Sequence, residues 1–117
     1  GGWIEKESNL SDNAWVSDNA QVYGNAKVSG DALVSGDAQV YGNALVCGKA
    51  RVYGNAQVYG YAKVYGNAQV YDKARVYGDT QVYGKARVYG KVKIYGKKHY
   101  EAYVKFVETL KNMEKTE

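Results

Sequence analysis

The side chains that could do chemistry are few, and their spacing argues against most reactions. The chain has one histidine, His99, and one cysteine, Cys47. A metal site needs clustered ligands, and one Cys, one His and dispersed carboxylates do not supply them. Asp31 and Asp37 stand one six-residue period apart, so they fall on different corners of any coil built on that period and cannot pair as acid and base. No Gly-rich phosphate loop of the P-loop or G-x-G-x-x-G type is present, and the glycines punctuate turns instead. No metal or cofactor is expected. What remains is aromatic and cationic: thirteen Tyr, with Arg51 beside Tyr53, Arg87 beside Tyr89, and Arg75 close to Tyr71. Rings beside cations suit base stacking and phosphate pairing. They equally suit protein interfaces, where Tyr and Arg are enriched at hot spots. Tyr is also a good strand former whose rings stabilise neighbouring rungs, so a purely structural role stays open.

The element that must position these residues is a hexapeptide, seen most cleanly as Asn55-Ala56-Gln57-Val58-Tyr59-Gly60. Variants of it run without a gap from Asn13 to Gly96. The fourth position is Val from Val16 to Val88 and then Ile94; the second is Ala from Ala14 to Ala86, interrupted by Thr80, and then Val92. Ala and Val two residues apart point to one face of a strand, and the residue between them points to the other. Gly followed by Asn, Asp or Lys then turns the chain. Strands this short cannot make useful hairpins, but they can coil, each turn stacking on the last over a shared core. The absence of Pro fits strands that all need their ladder donors.

The register of Val58-Tyr59-Gly60-Tyr61-Ala62-Lys63 resembles the left-handed β-helix hexapeptide-repeat superfamily, with Val58 and Ala62 as the inward pair. The resemblance covers residues 1–96. It implies an all-β solenoid, a left-handed triangular β-helix of eighteen residues per coil and about five coils. In that superfamily, acyltransferases use a coil-borne His as general base, bind their acyl carrier between subunits, and often wall the site with an extruded loop. Here His99 lies outside the repeats, no insertion interrupts residues 13–96, and Tyr fills the position after the aliphatic residue. The reading is therefore not an enzyme, with a trimeric acyltransferase-like protein as the remote alternative.

Both ends depart from the repeat. Residues 1–12 keep the register in worn form, Ile4 and Leu10 on the Val position and Gly2 and Ser8 on the Ala position, as terminal repeats do. After Gly96 the apolar period changes to three and four: Tyr100, Tyr103, Val104, Val107, Leu110 and Met113. That predicts a C-terminal amphipathic helix of about four turns within 97–117, either a lid on the last coil or a docking element for another subunit. Glu101, Lys105, Glu108 and Lys111 could pair along it.

At eighteen residues per coil the outward side chains sort into three ladders. Trp3, Gln21, Gln39, Gln57, Arg75 and Lys93 run beside Tyr23, Tyr41, Tyr59, Tyr77 and Tyr95. Trp15, Leu33, Arg51, Gln69 and Arg87 run beside Ser17, Ser35, Tyr53, Tyr71 and Tyr89. Asn9, Lys27, Leu45, Lys63 and Gln81 run beside Ser11, Ser29, Cys47, Tyr65 and Tyr83. Trp15 and Leu33 should be neighbours, and exposed apolar side chains in a cluster often mark an interface. They are assigned to self-association together with Tyr103, Val107 and Leu110 of the helix, since the resemblance implies prisms packed side by side as a dimer or trimer. Arg51, Tyr53, Tyr71, Arg75, Arg87 and Tyr89 are assigned to a partner.

Charge is uneven along the axis: residues 1–48 balance at −4 and residues 49–117 at +8. No long apolar run predicts a membrane span, the start lacks a signal-peptide pattern, and a single free thiol favours a reducing, cytoplasmic setting. The expected function is a non-catalytic interaction module for a host protein or protein–nucleic-acid complex. Chains of this repeat resemble small proteins of bacteria and their phages, which implies an inhibitor or adaptor, for instance of a defence nuclease. Nucleic-acid binding is the alternative.

Overall fold

Each hexapeptide folds as its alternation requires, into a two-residue strand followed by a tight turn, and three such units close one coil. The computed structural model describes residues 2–115, with side chains described through Lys111. Fifteen short strands, from Trp3–Ile4 to Lys93–Tyr95, sort into three parallel sheets. Sheet I stacks the strands that begin at Trp3, Gln21, Gln39, Gln57, Arg75 and Lys93. Sheet II stacks those beginning at Trp15, Leu33, Arg51, Gln69 and Arg87, and sheet III those beginning at Lys27, Leu45, Lys63 and Gln81. Register partners lie eighteen residues apart throughout, as Gln57 with Arg75 and Leu33 with Arg51. The fold is a three-sided parallel β-solenoid with a C-terminal helix.

The interior is a column of Ala and Val, every member from Ala20 to Val76 fully buried. Small side chains are needed because the coil is narrow: any larger residue would have to displace the rung above or below it. Corners are bonded rung to rung as well, as in Asn43 N–H to the Gly60 carbonyl at 2.8 Å. Rung-to-rung bonds thus run along the strands and through the corners. The turn residue sits in the left-handed region, and at Gly48 (φ +67°) a Cβ would come within 2.9 Å of the Gly66 nitrogen. Asp12, Asp18 and Asp72 are the non-Gly residues that adopt this conformation, as Asp does more readily than most residues.

Those aspartates do something the repeat pattern does not announce. A corner glycine N–H points back toward the preceding rung, and an Asp there accepts it: Gly30 donates to Asp12, Gly36 to Asp18 and Gly90 to Asp72, at 3.0–3.2 Å. Gly24 donates to Glu5 in the same way at 3.1 Å. The first coil thus holds a carboxylate at each of its three corners, which fits the acidic balance of the N-terminal half.

The first coil also corrects the expected ladder. Residues Glu7–Asn9 form a 3-10 turn where sheet III would begin, and Asn9, expected on the outside, is buried with 1% exposure. The tighter turn swings its amide inward, where Oδ1 accepts the Lys6 N–H at 2.6 Å and Nδ2 donates to the Ala26 carbonyl at 2.8 Å. Ser8, on the Ala position by register, is exposed instead. Leu10 survives only as an isolated bridge to Val28. A shortened, plugged edge offers little backbone for another chain to pair with. Asn9→Ala leaves a buried carbonyl and an N–H without partners, and should cost about 1–3 kcal/mol in urea unfolding. A loss indistinguishable from zero would mean that the plug is only decorative.

At the other end the helix spans Gly96–Lys115, twenty residues and longer than the four turns expected. Thr80, the one break in the buried Ala series, explains its start: Oγ1 accepts the Gly96 N–H and donates to the Tyr77 carbonyl at 2.8 Å. The His99 ring nitrogen Nδ1 accepts the Tyr95 N–H at 3.2 Å. Tyr100 is buried, and Tyr103 and Val104 pack on the core, so the helix covers the last coil. The expected pairs among Glu101, Lys105, Glu108 and Lys111 do not form; Lys97 and Glu101 approach to 4.0 Å instead, both well exposed. The predicted apolar position Met113 lies outside the described side chains. Among the described residues no helix is long and apolar enough to cross a membrane.

Candidate functional site

Sheet II gathers most of the residues singled out by type. Down its face the register partners run Trp15, Leu33, Arg51, Gln69, Arg87. Trp15 is 62% exposed and Leu33 half-buried beside it, over half-buried Ser17 and Ser35. Because Ser replaces Tyr on these two rungs, the indole and the leucine stand clear of flanking rings. From Arg51 onward the face turns basic and aromatic, with Tyr53, Tyr71 and Tyr89 along its margin. Arg51 and Arg87 are exposed, and among the described residues neither is in an ion pair. Arg75, grouped with them by type, lies on sheet I as a partner of Gln57 and Lys93, and is not brought to this face.

The tyrosines are less available than rings beside cations would suggest. Tyr53 stacks on Tyr71 at 5.0 Å and Tyr71 on Tyr89 at 5.4 Å, nearly parallel. Tyr23, Tyr41, Tyr59 and Tyr77 form a second stack on sheet I at 4.9–5.0 Å. Neighbouring rungs one ladder spacing apart leave ring edges and hydroxyls outward and ring faces covered. Tyr53 Oη further donates to Gln69 at 3.1 Å. A base could not insert into these stacks, so the expected stacking platform is not offered there.

Where sheet II meets the helix, a cleft of about 550 Å³ opens between Tyr71, Arg87 and Tyr89 on one side and Tyr103, Val107 and Lys111 on the other. Tyr103 is held within the chain: its hydroxyl accepts the Tyr89 N–H at 3.1 Å and its ring meets Tyr89 edge-on. Of the residues assigned to self-association, Tyr103 and Val107 therefore line this cleft, whereas Leu110 stays exposed outside it. Phe106, three residues after Tyr103 and four before Leu110, fits the apolar spacing but was not singled out by sequence, and it is 61% exposed on the helix. Cys47 is half-buried, like the tyrosines Tyr41, Tyr53 and Tyr59 at the same repeat position. Among the described residues no group of three His, Cys, Asp or Glu could hold a metal.

Burial raises the Tyr100 and Tyr103 hydroxyls above the ordinary tyrosine value, with nearby tyrosines adding to the shift and backbone hydrogen bonds opposing it. A tyrosine raised on folding favours the protonated, folded form. Its contribution is complete below the unfolded value near 10 and is lost as pH climbs through the folded one. Helix docking should therefore weaken above about pH 10, read as tyrosinate absorbance rising together with loss of helical circular dichroism. Absorbance that titrates with no change in helicity would separate the two events.

The YdcK beta solenoid repeat model matches residues 20–36, 38–52, 50–66 and 68–84, together more than half of the chain. The matches begin after the plugged first coil and end before the helix, the two regions where the repeat is worn or absent. No curated protein and no solved structure matches the chain. On the strength of the matched repeats, the chain belongs to the YdcK beta solenoid repeat family.

Proposed function

We propose that the protein is a rigid, non-catalytic interaction module that docks a protein partner on sheet II. The observation that supports this most directly is the composition of one face: exposed Trp15 beside half-buried Leu33 toward one end, then exposed Arg51 and Arg87, which make no ion pair among the described residues. Trp and Arg are the residue types that most often carry interface energy. Within this reading Trp15 and Leu33 hold prisms side by side in a dimer or trimer, and Arg51, Tyr53, Tyr71, Arg87 and Tyr89 face the partner. An inhibitor or adaptor occupying the surface of a host protein, such as a defence nuclease, is one concrete form, supported by the resemblance to small phage and bacterial repeat proteins. Work inside a cytoplasm belongs to the same form.

The test is quantitative capture from bacterial lysate at physiological salt. A specific protein retained by the native chain should be lost by Arg51→Ala with Arg87→Ala and kept by Gln39→Ala on sheet I. Equal retention by both variants would defeat the assignment to sheet II. Light scattering should show Trp15→Ser with Leu33→Ser shifting the assembly toward single chains. Acetyl-CoA should leave the melting temperature unchanged; a clear rise would return the acyltransferase reading to favour.

A further inference from the structure

The corner that joins sheet II to sheet I changes character abruptly toward the C-terminus. Its leading residue runs Asn19, Asp37, Asn55 and then Lys73 and Lys91. The next outward side chain, on sheet I, runs Gln21, Gln39, Gln57 and then Arg75 and Lys93. Two consecutive rungs thus present four cations. Arg75 and Lys93 are register partners. The Lys73 N–H donates to the Gly90 carbonyl at 3.1 Å, which sets Lys91 on the adjoining rung. All four side chains are exposed.

This block is not required by the fold. Like charges on neighbouring rungs repel, and the three preceding rungs of the same corner are built with Asn, Asp and Gln. Nor is it neutralised: among the described residues the one ion pair is Lys97 with Glu101. The corner's own carboxylate, Asp72, accepts the Gly90 N–H at 3.0 Å. Rungs lie about 4.8 Å apart, and two residues along a strand span about 6.6 Å, so the four cations crowd a small area. An acidic extended peptide places one carboxylate per roughly 6.6 Å on a given face. Duplex DNA carries one charge per about 1.7 Å of axis and meets such density far better.

We infer that this corner is a phosphate-backbone site for nucleic acid, separate from the sheet II surface, and that it reads no base sequence. The second half follows from the flanking Tyr71 and Tyr77, whose faces are turned on neighbouring rings. Tyr71 lies against Tyr89 at 5.4 Å, and Tyr77 against Tyr59 at 5.0 Å, with Tyr95 tilted over its other side. Affinity then rests on phosphates alone.

The experiment is fluorescence anisotropy with two labelled duplexes of unrelated sequence. Four phosphate contacts predict a loss of roughly 100-fold in affinity between about 50 and 200 mM salt, equal for both duplexes within about threefold. The variant Lys73→Asn, Arg75→Gln, Lys91→Asn, Lys93→Gln copies rungs this corner already uses, so it should keep its circular dichroism. It should lose roughly 30-fold or more at the lower salt and flatten the salt dependence. Lys91→Asn with Lys93→Gln, confined to the last rung, serves if the fourfold variant does not fold, and should remove about half of the salt slope. Three results would each overturn the inference: no duplex binding at the lower salt, a folded variant that binds like the native chain, or polyglutamate competing as well as DNA at equal charge. All these variants leave Trp15, Leu33, Arg51 and Arg87 in place, so loss of DNA binding with retained protein capture separates this site from the sheet II one.

Discussion

Val58→Asp is expected to leave no folded protein at room temperature, whereas Val58→Ala should cost only about 2–3 kcal/mol. Val58 is fully buried at the middle of the stack, packed among Ala and Val side chains that offer no hydrogen-bond partner. A carboxylate there stays uncompensated, and such burial belongs to the few changes that exceed roughly 4–5 kcal/mol, a large part of what a domain this size has. The architecture magnifies the loss. A solenoid is stabilised by nearest-neighbour contacts between coils, so a central break leaves two stacks that are each too short. Ile4→Asp, half-buried in the first coil, should be far milder. Thr80 shows what a buried polar group needs here: it is tolerated with both the Tyr77 carbonyl and the Gly96 N–H as partners. Circular dichroism with urea unfolding decides it, and a cooperative Val58→Asp transition near the native midpoint would sink the prediction.

Ending the chain at Gly96 is the second large effect, and it should produce tail-to-tail association rather than simple loss of stability. The helix buries Tyr100 and packs Tyr103 and Val104 against the core at the last coil. Without it, Val82, Val88 and Ile94 lose cover, and the strands beginning at Gln81, Arg87 and Lys93 present free backbone groups. An open, flat strand edge pairs readily with another chain, and here the next rung of the same repeat is the ideal template. The plugged first coil, with Asn9 buried and carboxylates at its corners, limits growth at the opposite end. Truncated chains should therefore pair tail to tail and stop at dimers, read in light scattering as a mass that doubles with concentration. A truncated chain of unchanged size and melting temperature would show that the last coil closes itself. Tyr100→Ala, which thins the cover without removing it, should lie between the two.

What the sequence determined by itself was everything that follows from a strict period. Alternation of Ala and Val decides which side chains point inward, and a six-residue spacing decides which corner comes next. Hence the three ladders, the Trp15–Leu33 contact and the separation of Asp31 from Asp37 could be read before any coordinates. Arg75 stood on the first ladder in that reading too, so its distance from Arg51 and Arg87 was legible, although residue type alone had grouped them. The helix was legible from its changed apolar period.

Tertiary structure decided whatever depends on a neighbour eighteen residues away or on a turn that leaves the period. Asn9 turns inward because a 3-10 turn replaces a strand, and four corner carboxylates act as acceptors only because a glycine N–H lies on the next rung. Periodicity places a tyrosine outside but cannot say that its faces meet other tyrosines, since that depends on a shared rotamer along the ladder. Nor does it say which helix residues dock: Tyr103 meets Tyr89, while Phe106 is left exposed. Local pattern fixes direction within a repeat, and contact between coils fixes what each outward side chain has left to offer a partner.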